Sequence, residues 1–500
     1  MRLSKTARFV LAACIATSTA AWSASNGGKS GTPASASDAA KIPITTSSDE
    51  AKKEFLEGRD LSERLLGHES LQHFDKALSL DPYFASAELA RANNSTTAKE
   101  FFEHQKKAVS LADKASDGEK LQILANEAAT NGDVEKQKEY LDKLVVAYPN
   151  DERAQFALAN YYFGQQEIEQ AVEHYQKVTE LSPNYSPVYN SLGYAYRQQD
   201  NYAGAEKAFK KYVDLIPKDP NPYDSYAELL LKMGRFDESI AQYKKALALD
   251  PHFPSSIFGI AADEMYLGKT DAATAALQKL ANQARGDGEL RTAYFGMAVV
   301  AADAGKFDKA LQAMDKEFAV AEKKDDKAAM AADLQAKANI LAEMANYDEA
   351  KRQFDRSLQL VQSSNLSQDV KENATLLHHF NLAALAIEKK DYTAAKTHAE
   401  EFRQGAEASK NPVQVRQSHE LAGRIALGEK DYEKAVAELA QANQQNPANL
   451  YRLGQAYQGK GDKAKAQDFC RKAAEFNSLP QLNYAFIRAK AEKMAGSKKV

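Results

Sequence analysis

Apolar positions return every three or four residues along most of this chain, and charged residues fill the turns between them, which is the spacing of amphipathic helices rather than strands. Pro149, Pro183, Pro217 and Pro251 recur at intervals of about 34 residues, the period of a helix-turn-helix unit. Proline cannot continue a helix, so each one marks where a helix pair ends and the next begins. Other positions keep the same phase: Leu158 and Leu192; Ala159, Gly193 and Ala227; Tyr162 and Tyr196; Ala171 and Ala205; Tyr175, Phe209 and Tyr243. A small residue on the first helix, such as Gly193, lets the second helix approach closely, and Ala205 does the same from the other side. The large residues fill the seam around them. Gly234, Arg235, Phe236, Asp237 and Glu238 show the turn that precedes a second helix, where glycine supplies the backbone freedom of the reversal.

These positions resemble the small-and-large signature of the tetratricopeptide repeat, and the resemblance extends from about Ala51 onward. Variants stand at Met297, Ala298, Gly305 and Ala310; at Leu341, Tyr347, Ala350 and Phe354; and at Leu382, Ala383, Tyr392 and Ala395. Gly423, Tyr432, Ala435 and Pro447 make a further unit, and Leu453, Gly454, Tyr457, Ala466 and Ala473 another. The implied fold is all-α, a right-handed α-solenoid of roughly a dozen helix pairs. The expected organisation is a leader over 1–24, a disordered linker over 25–48 and partly atypical repeats over 49–151. A regular array over 152–285 follows, then lengthened repeats over 286–410, further repeats over 411–480, and a capping helix and tail over 481–500. Asn93, Asn94, Ser95, Thr96 and Thr97 predict a loop interrupting a helix pair.

The resemblance also implies a concave groove walled by the first helix of each unit. In this register the groove residues are Phe156, Asn160, Phe163, Asn190, Tyr194, Arg197, Asp224, Glu228, Phe258, Asp263 and Tyr266. Rings beside amide and charged groups suit capture of an extended peptide or a helix. Some modules of this family clamp a terminal carboxylate with basic residues and asparagines. Asn160 fills one such slot, but Phe156, Asn221 and Ser225 stand where the basic residues would be, which excludes that clamp.

Composition narrows the function classes. The net charge of −4 leaves no basic footprint for nucleic acid. Arg2, Lys5 and Arg8 precede an apolar stretch from Phe9 to about Ala21, the order of an export leader. Two processing routes fit it. Leu11, Ala12, Ala13 and Cys14 resemble a bacterial lipobox, which makes Cys14 a candidate lipidation site; ordinary cleavage would follow Ala21 or Ser23. After the leader no stretch is long and apolar enough to span a membrane. Cys14 and Cys470 are the two cysteines, so a chain without its leader cannot close an internal disulfide.

Candidate chemistry is sparse. Gly454, Gly459 and Lys460 have the spacing of a phosphate loop, but Gly461 replaces the hydroxyl residue and no strand precedes them. His378 and His379 are adjacent on a helix and point about 100 degrees apart, a poor start for a shared metal. Cys470 occupies a slot filled by Tyr or Phe in other units and reads as a buried apolar residue. The expectation is therefore a scaffold without catalytic residues, cofactor or metal, exported to the envelope or secreted, and binding a protein or peptide partner. The alternatives are an envelope hydrolase with its site in the atypical middle repeats and a purely structural, self-associating solenoid.

Overall fold

The computed structural model describes residues 41–479 and 481–496. The leader, Cys14 and the linker as far as residue 40 lie outside the described residues. Within them the chain forms 25 α-helices and one short 3-10 turn, Ala112–Lys114, with no strand. Residues 41–229 with Lys245–Pro251 make one compact unit, and Leu230–Lys244 with the chain from His252 onward make another.

The regular pairs show how the sequence sets the fold. Asp151 caps Glu152–Gln165 by accepting hydrogen bonds from the N–H groups of Arg153 and Ala154. That helix pairs with Ile168–Leu181, and Ser186–Gln198 pairs with Tyr202–Leu215. Ala171 and Ala205 are fully buried, as are the rings of Tyr175 and Phe209. A Cβ added at Gly193 would lie 2.5 Å from the Phe209 ring, so the small slot is a direct steric requirement of the seam. Burying a ring of this size contributes roughly 2–3 kcal/mol, and the seam repeats in each unit. Gly259 meets Tyr243, Gly423 meets Leu439 and Gly454 meets Cys470 in the same manner.

Helices from Asp287–Asp303 to Pro412–Gly428 run 16 to 21 residues, against 12 to 14 between Glu152 and Leu249. The longer helices also bury charge. Arg291 donates to both carboxylate oxygens of Asp333, at 2.7 and 2.8 Å, and to the Glu317 carbonyl at 3.0 Å. All three residues are buried, so one guanidinium joins three successive helices.

Two expectations are corrected. Residues 41–48 are held against the helices rather than forming the end of a disordered linker. The N–H of Ile42 donates to Asp151 at 3.0 Å, that of Thr45 to Glu119 at 3.0 Å, and that of Ser47 to Asp81 at 2.8 Å. Carboxylates at helix termini, Asp151 and Glu119 at starts and Asp81 at an end, satisfy the strap's backbone, while Ile42 and Ile44 supply apolar anchors. Residues Asn94 to Thr97 likewise do not break a pair. They are the turn inside it, between Ala85–Asn93 and Ala98–Leu111, and Thr97 caps the second helix through the Glu100 N–H.

The last helix, Leu482–Ala495, has two apolar faces. Ile487 and Ala491 cap the final repeat against Ala448, Leu450 and Ala473. Leu482, Ala485 and Phe486 instead join the core formed by Phe295, Ala298, Met314 and Ile340.

Candidate functional site

In the unit containing residues 41–229, three of the expected groove residues meet directly. The Tyr194 hydroxyl donates to Glu228 at 2.9 Å, Arg197 donates to the other Glu228 oxygen at 2.6 Å, and the guanidinium lies 4.7 Å above the Tyr194 ring. Burial, reinforced by Glu228, raises the Tyr194 phenol well above its usual range, so it acts as a neutral donor. Asn160, half-buried, accepts a hydrogen bond from Tyr175 at 2.7 Å, and Phe163 is half-buried beside it on the same helix.

Other expected residues lie beneath this surface. Phe156 is buried with its ring edge-on to Tyr185 at 5.6 Å, and Asn190 and Asp224 are also buried. Tyr185 covers Phe156 and turns that slot into a contact between repeats. Sequence periodicity cannot show such covering.

In the other unit, Asp263 is fully buried and is corrected from groove wall to core. Its carboxyl lies against Ser239, and burial pushes its pKa up to about 8. One position along a helix is a turn of about 100 degrees, enough to move a side chain from groove to seam. Phe258 is half-buried and packs toward Gly296.

Tyr266 is half-buried, and it holds backbone. Its ring stacks on Phe236 at 5.6 Å, its hydroxyl donates to the Ser478 carbonyl at 2.7 Å, and the Ser478 N–H returns a bond at 3.3 Å. The neighbouring repeats continue the pattern. Lys232 stands 3.7 Å over the Phe476 ring, Asp303 accepts from Arg488 at 2.8 Å, and Glu343 pairs with Lys490. Lys232, Tyr266, Asp303 and Glu343 each stand five residues after a buried alanine: Ala227, Ala261, Ala298 and Ala338. They form one column, one side chain per repeat, and meet residues 476, 478, 488 and 490 in order. Arg488 and Asp303 are both largely buried; burial is the largest single influence and works against the guanidinium charge, but the hydrogen bond and charge of Asp303, with Tyr266 and Glu492, together outweigh it, so the Arg488 pKa is raised.

The groove residues named from sequence include only Tyr266 from this column. Counting five residues from each small slot would have found Lys232, Asp303 and Glu343 as well. The segment that meets this column carried no comparable signal, since a capping helix was the expected role for 481–495.

The other motifs resolve into structure. Gly454 lies inside Pro447–Gly459 against Cys470, and Gly459 packs on Tyr432, so neither glycine opens a phosphate cradle. Cys470 is buried and its thiol is pushed up to about 11 by burial, far from a reactive thiolate. His378 lies 3.2 Å from Asp355, and His379 lies 3.3 Å from His398. Among the described residues Glu54, Glu57 and His73 bring three metal-ligating atoms within 4.8 Å of one another; the His73 ring already meets Glu54 at 2.8 Å.

This architecture is that of a helical-repeat protein built from successive helix pairs. Tetratricopeptide-repeat family models match residues 124–186 and 156–220, residues 220–253, and residues 448–478. The chain is a tetratricopeptide-repeat protein. Such families are mostly non-enzymatic, and the fold supports a protein–protein interaction scaffold in general. No curated protein matches the sequence. Similar solved structures include a tetratricopeptide repeat protein from Parabacteroides merdae, at 16% identity, covering 56% of this chain and 98% of that one, with a TM-score of 0.36. YrrB, a TPR protein with an unusual peptide-binding site, is 20% identical over 38% of this chain and 95% of its own, with a TM-score of 0.25. PilW, a widely conserved type IV pilus biogenesis factor, is 20% identical over 44% of this chain and 97% of its own, with a TM-score of 0.31. At these TM-scores the likenesses carry no functional argument. No helix among the described residues is long and apolar enough to cross a membrane.

Proposed function

We propose that this protein is an interaction scaffold of the bacterial cell envelope that holds peptide or helical segments of partner proteins against the first helices of its repeats. The observation that carries the reading is the column of Lys232, Tyr266, Asp303 and Glu343, which holds a peptide segment through one ring contact, one backbone pair and two ion pairs. Backbone capture gives affinity without demanding a sequence, and the charged rungs select one. The envelope part rests on the export-leader pattern of Arg2, Lys5, Arg8 and the apolar run after them.

Photo-crosslinking in living cells tests it. A photoreactive phenylalanine analogue at Phe163, half-buried on Glu152–Gln165, should yield adducts to a defined envelope protein, and the same analogue at exposed Lys177 on Ile168–Leu181 should not. Equal labelling from both positions, or none from Phe163, would overturn the reading.

A further inference from the structure

The tail that meets the column of Lys232, Tyr266, Asp303 and Glu343 makes chemically distinct contacts. Reading along it, Phe476 meets a lysine, the Ser478 backbone meets a tyrosine hydroxyl, and Arg488 and Lys490 meet an aspartate and a glutamate. Between these contacts Leu482, Ala485 and Phe486 present an apolar stripe, with Phe486 6.2 Å from the Phe307 ring. Spacings of three and four residues put that stripe on one helix face. The groove is thus matched to an aromatic lead-in followed by a helix with an apolar stripe and a basic end. Capping of the last repeat uses different residues of the same helix, Ile487 and Ala491. A helix needed only as a cap would carry a polar outer face. The second face and its two ion pairs are additional, and they lie on the column that the repeats place in register.

We infer that Lys232, Tyr266, Asp303 and Glu343 form a docking site for a basic amphipathic helix of another protein, and that residues 476–479 and 481–490 of this chain are its resident occupant, which a partner must displace. This rests on the scaffold reading and adds its regulation: the site is closed by its own tail until a better-matched helix competes. Apparent affinity for a partner is then reduced by the fraction of molecules with the tail released.

The test uses the full chain and, as probe, a fluorescent synthetic peptide of residues 474–495. Arg488→Ala with Lys490→Ala weakens the tail and leaves every column residue in place. The peptide should bind this variant at least about tenfold more tightly than it binds the unaltered protein. Adding Asp303→Asn to the variant should remove most of that binding, and a peptide carrying Arg488→Glu and Lys490→Glu should not bind. Equal affinity for the variant and the unaltered protein would overturn the proposal, as would no binding to a variant that still unfolds cooperatively. A dimer of the unaltered protein by light scattering would overturn it too, because a neighbour's tail would then fill the groove. The crosslinking from Phe163 reads the other unit. Surviving Phe163 adducts with a failed peptide titration would remove tail gating alone, and lost adducts would remove the scaffold reading.

Discussion

The two units treat the same first-helix register in different ways. In the unit containing residues 41–229, Tyr194, Arg197 and Glu228 satisfy one another across adjacent repeats. In the unit made of Leu230–Lys244 and the chain from His252 onward, the corresponding side chains instead bond Ser478, Arg488 and Lys490. The difference teaches that a polar residue in a groove position has two stable fates. It bonds a neighbouring rung and stiffens the stack, or it bonds a segment laid along the stack and recognises it.

Substitutions can break or sharpen this contrast. The largest effect is expected at Arg291, buried between three successive helices of the second unit. Arg291→Ala strands the Asp333 and Glu317 carboxylates and should cost about 3–5 kcal/mol in denaturant unfolding, since removing one partner leaves buried charge uncompensated. Next come the seams, which should behave alike in both units. Gly193→Val drives a side chain into Phe209, and Gly259→Val drives one into Tyr243; each should cost about 1–3 kcal/mol. A large disparity between the two would show that the units do not share one packing rule.

Asp263 adds a pH signature to the second unit alone. Its folded pKa, near 8, lies above the unfolded value near 3.8, so the native state holds an extra proton between those limits. Its contribution to stability is therefore complete at the acid end and is lost as pH rises through 8. Asp263→Asn should raise stability by roughly 1–3 kcal/mol at pH 8.5 and leave it nearly unchanged at pH 4, read from paired unfolding curves. The smallest effect is expected at Glu228. Glu228→Gln keeps an acceptor for Tyr194 and loses the charge that holds Arg197, so it should cost about 0.5–1 kcal/mol and leave the tail's protection untouched.

The repeat was legible because its causes are local. Prolines at a fixed period and small slots such as Ala159, Gly193 and Ala227 act on the residues beside them, and the helix pairs follow. The groove was only partly legible. Tyr266 stays half-buried and bonds Ser478, whereas Asp263, three positions earlier, is fully buried; the residues covering a side chain belong to other repeats and have no place in its own periodicity. Asp303 and Glu343 obey the same five-residue spacing as Tyr266 and could have been counted out. The docking of Leu482–Ala495 on Asp287–Asp303 joins positions nearly two hundred residues apart, and no window of sequence holds both halves of the Arg488 to Asp303 pair. The strap at 41–48 escaped for a similar reason. Its composition is that of a linker, and the carboxylates that hold it, Asp81, Glu119 and Asp151, lie 34 to 109 residues away.

Amide hydrogen exchange across Leu482–Ala495 tests the central contrast most directly. If the tail occupies the groove, its amides should be protected to the same degree as those of Asp287–Asp303, and Arg488→Ala should lower protection in both segments together. Exchange of the tail at the rate of a frayed terminus, with Asp287–Asp303 fully protected, would contradict the account.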